Sequence, residues 1–145
     1  MSVIAVLNGP NLAKLGIREP MIYGDLSAGE LEHLLVRWGE SAGFSILFQQ
    51  YDVEGDMVTA VGEASKNCEA LIINPGGLSH TSVSILDAMR AFHGPVVEVH
   101  ISQIHKREPY RHRMLTAGGA EVVISGAGIN GYLLAIQTVK ELLRR

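Results

Sequence analysis

The sequence predicts an α/β fold in which a five-stranded parallel sheet is covered by helices on both faces. Three observations carry that prediction. Short runs rich in Val and Ile alternate with longer stretches in which apolar residues recur every three or four positions. The short runs are continuously apolar, as strands buried on both faces are, rather than alternating like half-exposed strands. The chain has 145 residues and no linker, repeat or low-complexity tract. At roughly 100–200 residues per domain, residues 1–145 read as a single domain.

Val3–Leu7 is the first strand. Leu31, Leu34, Leu35 and Trp38 follow at helical spacing, preceded by the capping-box pattern Ser27-Ala28-Gly29-Glu30 and stopped by Gly43. Phe44–Phe48 is the second strand and Met57–Asn67 a helix. Ala70–Ile73, a helix over Val83–Phe92, and Val96–Ile101 come next. Glu121–Ile124 is the fifth strand, and Tyr132–Leu143 is the closing helix. Strand–helix alternation with right-handed crossovers makes this a three-layer αβα sandwich of the flavodoxin-like, doubly wound type.

Composition narrows the function. The chain is 47% hydrophobic and 19% charged, which excludes a disordered or fibrous class. No apolar run approaches the ~20 residues of a membrane span. The start, Met1-Ser2-Val3-Ile4, lacks the basic and cleavage features of a secretory signal, and the single cysteine, Cys68, has no intrachain partner; both point to the cytoplasm. The net charge of −3 suggests no nucleic-acid or membrane partner. Between His100 and Arg113, however, Lys106, Arg107, Arg111 and Arg113 face Glu108 alone, a local +3 suited to an anionic ligand.

Ligands of open parallel sheets bind beyond the carboxyl ends of the strands. The unusual polar residues collect there. Asn8-Gly9-Pro10-Asn11 follows the first strand, leading through Arg18-Glu19-Pro20 to Tyr23-Gly24. Asn74-Pro75-Gly76-Gly77 and Ser79-His80-Thr81 follow the third, and His100-Ile101-Ser102 ends the fourth. The Gly-rich turn after the third strand reads either as an anion site opening a helix or as a plain turn, with Ser79 or Thr81 as cap. Glu98 and His100 share one face of their strand, where the carboxylate can orient the imidazole. His100, His105 and His112 do not match zinc-ligand spacing. Gly126-Ala127-Gly128-Ile129-Asn130-Gly131 spells a dinucleotide fingerprint, but only 14 residues remain, too few for the acidic residue about 20 positions on. These glycines instead let the last helix pack closely.

Leu7-Asn8-Gly9-Pro10-Asn11-Leu12, Arg18-Glu19-Pro20 with Tyr23-Gly24, Ile73-Asn74-Pro75-Gly76, His80-Thr81-Ser82 with Asp87, and Glu98-Val99-His100-Ile101-Ser102 with Arg107-Glu108 and Arg111-His112 resemble type II dehydroquinase nearly end to end. The resemblance implies a metal-free 3-dehydroquinate dehydratase of the shikimate and quinate pathways. It also implies a homododecamer and a cofactor-free anti elimination through an enolate. On this resemblance Tyr23 is the base, Arg18 the lid residue that activates it, and Asn11 a holder of water or enolate. His100, set by Glu98, aids the leaving group. Asn74, Ser102, the Ile101 backbone and Arg111 hold substrate hydroxyls and carboxylate, His80 binds a hydroxyl, and Asp87 reaches a neighbouring subunit's site. The chain departs from the family pattern at Ala13, Lys14, Tyr51-Asp52, Leu86 and Met114. An alternative is a paralogue with an altered substrate, or a ligand-binding protein that lost turnover.

The residues support such chemistry independently. Tyrosine titrates near 10 in water, so a tyrosine base needs a nearby cation, and Arg18 lies five residues away on the same loop. Imidazole suits the acid role. None of the four lysines (Lys14, Lys66, Lys106, Lys140) ends a strand, which argues against a Schiff base. A phosphoryl receiver would need acidic residues where Asn8 and Asn74 stand, and a flavin module would need a hydroxyl-rich first loop.

Overall fold

The computed structural model describes residues 1–145. Its five strands are β1 (Ser2–Asn8), β2 (Phe44–Gln50), β3 (Ala70–Asn74), β4 (Val96–His100) and β5 (Val122–Ser125). They form one parallel sheet in the order β2-β1-β3-β4-β5. The helices are α1 (Pro20–Tyr23), α2 (Ala28–Ala42), α3 (Glu54–Asn67), α4 (Val83–Ala91) and α5 (Asn130–Leu143). The predicted flavodoxin-like three-layer αβα architecture is present. No helix is long and apolar enough to cross a membrane.

The period of two along each strand divides the core into two layers. Ile4 and Val6 of β1, Ala70 and Ile72 of β3, and Val97 and Val99 of β4 pack against Leu31 and Leu35 of α2 and Tyr132, Ala135, Ile136 and Val139 of α5. The intervening Ala5, Leu7, Leu71, Ile73 and Val96 pack against Met57, Ala60, Val61 and Ala64 of α3 and Ile85 and Met89 of α4. The inner strands β1, β3 and β4 are covered on both faces and are accordingly largely apolar runs, whereas the edge strands are not covered throughout: Ser45, Leu47 and Gln49 of β2 and Val123 of β5 are exposed.

Of the predicted capping box before α2, the Ser27 cap forms, while the Glu30 carboxylate engages the Ser27 hydroxyl rather than its backbone N–H. Ser27 Oγ accepts from Glu30 N at 3.1 Å and donates to the Glu30 carboxylate at 3.0 Å, and Gly43 ends the helix at φ 92°. Other boundaries move by one to three residues. Helix α3 starts at Glu54 rather than Met57, because Glu54 and Asp56 suit the positive N-terminal end of a helix. Helix α5 starts at Asn130, while α4 stops at Ala91. The long first loop contains a 3-10 turn, Leu12–Lys14, and the one-turn helix α1, with Pro20 at its first position.

Of the fingerprint glycines, Gly131 serves close packing. A Cβ there would stand 3.2 Å from Val99 Cγ1, so α5 begins pressed against β4. That contact brings Tyr132 down onto the sheet.

The chain runs from β1 outward to β2, returns across β1 to β3, and then continues to β4 and β5. Connections leave β1 and β3 in opposite directions, so a crevice opens beyond their carboxyl ends. Asn8 and Asn74 are paired residues at that point.

Candidate active site

A cavity of about 160 Å³ occupies this crevice. Of the eleven predicted site residues, nine line it: Asn11, Arg18, Tyr23, Asn74, His80, His100, Ile101, Ser102 and Arg111. Glu98 and Asp87 do not. Arg107, which the sequence did not single out from its basic stretch, does. Three guanidinium groups and no carboxylate face the cavity, so it attracts an anion.

The first loop carries Asn11 and Tyr23. Asn11 sits in the left-handed region at φ 71°, which asparagine tolerates, and its backbone N–H donates to Asp52 Oδ1 at 3.0 Å. Asp52 also accepts from Gln50 Nε2 at 3.0 Å, and these two bonds hold its carboxyl below the usual range. The residue that departs from the family pattern thus braces the Asn11 turn.

Arg107 Nη1 donates to the Tyr23 hydroxyl at 2.6 Å and to Ser102 Oγ at 3.2 Å. Its side chain is 12% exposed, with Glu19 at 3.8 Å and Glu108 at 3.6 Å on the outer side. The Arg18 guanidinium lies over the Tyr23 ring face, 4.9 Å from its centroid, rather than against the hydroxyl. Both guanidinium groups thus lie beside Tyr23, and Arg107 is the one in contact with the phenol oxygen. Two 3-10 turns, Ile104–Lys106 and Pro109–His112, turn Arg107 and Arg111 inward and leave Lys106 and Arg113 exposed. Glu108 accepts from the Tyr110 hydroxyl and from Arg111 Nε, which pull its carboxyl down to about 2.

The opposite wall is built on β4. Glu98 is fully buried; its Oε2 accepts from His100 Nε2 at 2.6 Å and its Oε1 from Thr116 Oγ1 at 2.6 Å. A carboxylate only accepts, so His100 carries its proton on Nε2 and turns its other nitrogen away from Glu98. Glu98 touches the imidazole and not the cavity. The His80 ring lies 6.5 Å from that of His100. His80 Nδ1 donates to the Arg113 carbonyl at 2.8 Å, which leaves Nε2 as acceptor in the neutral ring. Burial, aided by neighbouring His100 and Arg111, lowers the His80 pKa against the opposing pull of the Arg113 carbonyl.

The Gly-rich turn does not open a helix. Gly76–His80 is a 3-10 turn, and α4 begins at Val83 with Ser82, not Ser79 or Thr81, as its cap: Ser82 Oγ accepts from Ile85 N at 2.9 Å. At the cavity floor, Asn74 Oδ1 accepts from Gly76 N at 3.1 Å.

Asp87 is exposed on α4, away from this chain's cavity. The rings of His105 and His112 stack at 5.5 Å, and no group of three His, Cys, Asp or Glu side chains is arranged to hold a metal. None of the four lysines lines the cavity.

The model of the family described as Dehydroquinase class II matches residues 2–140. The 3-dehydroquinate dehydratase 1 of Agrobacterium fabrum is 44% identical over 141 residues, 97% of each chain. The 3-dehydroquinate dehydratase of Streptomyces coelicolor is 44% identical over 140 residues, 96% of this chain and 89% of that one. Among solved structures, the type II dehydroquinase of Propionibacterium acnes superimposes with a TM-score of 0.94 at 36% identity, covering 97% of both chains.

Proposed function

The chain belongs to the class II dehydroquinase family, and from that membership we propose how its cavity dehydrates 3-dehydroquinate to 3-dehydroshikimate. The observation that carries the residue assignment is the 2.6 Å bond from Arg107 to the Tyr23 hydroxyl, inside the same cavity as His100. Dehydration of a β-hydroxy ketone needs a base, an enolate stabiliser and an acid.

Tyr23 is the base. A phenolate there is stabilised by the Arg107 guanidinium in contact with its oxygen and by Arg18 over its ring. Tyr23 Oη takes the proton next to the ketone, and the electron pair moves into an enolate. Asn11, at the loop edge of the cavity, holds the enolate oxygen directly or through water. His100 as imidazolium, its charge balanced by Glu98, protonates the departing hydroxide, so that water leaves and the enone forms. Proton return from Tyr23 to solvent and re-protonation of His100 restore the enzyme. Arg111, Ser102 and the Ile101 backbone take the carboxylate, while Asn74 and neutral His80 take hydroxyls. No step draws on a metal, a nicotinamide, a flavin or a lysine amine.

Ala13, Lys14, Tyr51, Asp52, Leu86 and Met114 all lie outside the cavity lining, which supports the family substrate over an altered one. Asp87 and Val83 are exposed one turn apart on α4. Asp87 can therefore serve a cavity only in another copy of the chain, which supports a closed homo-oligomer, with twelve subunits as the family resemblance implies. Buried, unpaired Cys68 suits the reducing cytoplasm. Biosynthetic and quinate-degrading roles both use this reaction.

The test is ultraviolet absorbance of the conjugated enone when purified protein meets 3-dehydroquinate. Catalytic turnover is expected, and stoichiometric binding without absorbance change would refute the enzyme.

A further inference from the structure

Tyr132 is the one tyrosine with no solvent exposure, and the elimination does not use it. It stands in the first turn of α5, the helix that Gly131 lets press against β4. Its hydroxyl reaches the strand ends at the switch point. It donates to Asn8 Oδ1 at 2.7 Å and accepts from Asn74 Nδ2 at 3.0 Å. Asn8 and Asn74 are cross-strand partners on the face that α5 covers, and only Asn74 goes on to line the cavity.

The hydrogen-bond directions in this cluster are determined. Gly76 N–H is a backbone donor that cannot be reversed, and it points at Asn74 Oδ1. Turning the Asn74 amide over would set its NH₂ against that N–H. Asn74 therefore presents Nδ2 to Tyr132, the tyrosine oxygen must accept, and its single proton is left for Asn8 Oδ1. Burial raises the Tyr132 pKa far above its ordinary value, so that proton stays in place at every working pH. Of the four hydrogen-bonding positions of the Asn74 amide, the protein consumes one N–H and one carbonyl lone pair. One N–H donor remains to be aimed at a ligand.

We propose that Tyr132 is a positioning residue for the elimination: its hydroxyl, anchored on Asn8, holds the Asn74 amide so that a fixed N–H donor faces a substrate hydroxyl. The inference rests on the dehydratase reading and deepens it. Tyr132 touches no substrate; it acts through Asn74.

Tyr132→Phe keeps the ring and deletes the hydroxyl. Asn8 already has a buried Nδ2 without a partner in the protein, and the variant strands its Oδ1 as well. Freed from Tyr132, the Asn74 amide swings about its remaining bond to Gly76. The expected result is a KM raised about tenfold, the size of one lost neutral hydrogen bond, with kcat within about threefold of wild type. The decisive measurement is the cycle with Asn74→Ala. In that background Tyr132→Phe is expected to change KM less than twofold, because the group it positions is gone. Asn8→Ala removes the anchor while leaving the tyrosine packing intact, so it is expected to raise KM in the same direction, and it serves as the test if Tyr132→Phe does not fold. Wild-type KM in a folded Tyr132→Phe protein with a lowered melting temperature would overturn the proposal, as would full multiplication of the two effects in the double variant. Failure of the dehydratase reading is distinct, since it appears as absence of turnover in the unmutated protein.

Discussion

Arg107→Ala removes the group that touches the Tyr23 hydroxyl, and its cost can be worked from the geometry. With Nη1 at 2.6 Å from the phenol oxygen, the charge centres of a guanidinium and a phenolate lie roughly 4 Å apart. At an effective dielectric constant of about 20, that interaction is worth about 4 kcal/mol. Truncation admits water, and Arg18 remains over the ring, so part of the loss is recovered. A net penalty of about 2–3 kcal/mol corresponds to a kcat reduced roughly 30- to 150-fold. Initial rates of enone formation supply the assay. Arg107 also donates to Ser102, so KM is expected to rise, and Ser102→Ala measures that share separately. Tyr23→Phe alone should lower kcat by ~10²-fold or more, the scale of a lost general base. Adding Arg107→Ala to Tyr23→Phe should then cost less than a further threefold in kcat. An Arg107→Ala enzyme that retains a third of wild-type kcat would refute the reasoning.

Thr116→Val leaves Glu98 Oε1 buried without its donor, at about 2 kcal/mol, and the melting temperature should fall by roughly 4–8 °C in calorimetry. An unchanged melting temperature would mean that Thr116 does not hold the carboxylate. His80 has a native pKa below its unfolded value of about 6.5, so the unfolded chain takes up the proton first as pH falls. Its contribution to stability is full above about pH 6.5 and lost as pH falls through the lower native value; urea midpoints of wild type minus His80→Asn should narrow over that window, and a flat difference would count against it. Chelator should leave turnover unchanged, and borohydride added with substrate should not inactivate, because no lysine reaches the cavity. Borohydride inactivation would place an amine in the reaction.

Legibility in the sequence followed the range of the interactions. Strands such as Ala70–Ile73 and the Ser27–Glu30 cap are written locally, because burial on both faces demands continuous apolar residues and a cap needs a side chain three positions from its target. The parallel direction of the strands follows from the same alternation, and it placed Asn8, Asn74 and His100 at one edge before any distance was known, whereas the order β2-β1-β3-β4-β5 came from the structure. Glu98 beside His100 was legible because two residues on one strand share a face. What the sequence could not distinguish was which of four cations, Lys106, Arg107, Arg111 and Arg113, faces inward. That depends on two consecutive 3-10 turns that pack on each other, the second also on the Gly76–His80 turn, rather than on local pattern. Tyr132 was legible only as an apolar helix residue, since its partner Asn8 lies 124 positions away. The chain alone therefore determined the sheet, its layers and the edge where ligands bind. The tertiary structure decided which guanidinium meets the phenol and which hydroxyl orders the floor, because both are set by contacts between segments that share no sequence neighbourhood.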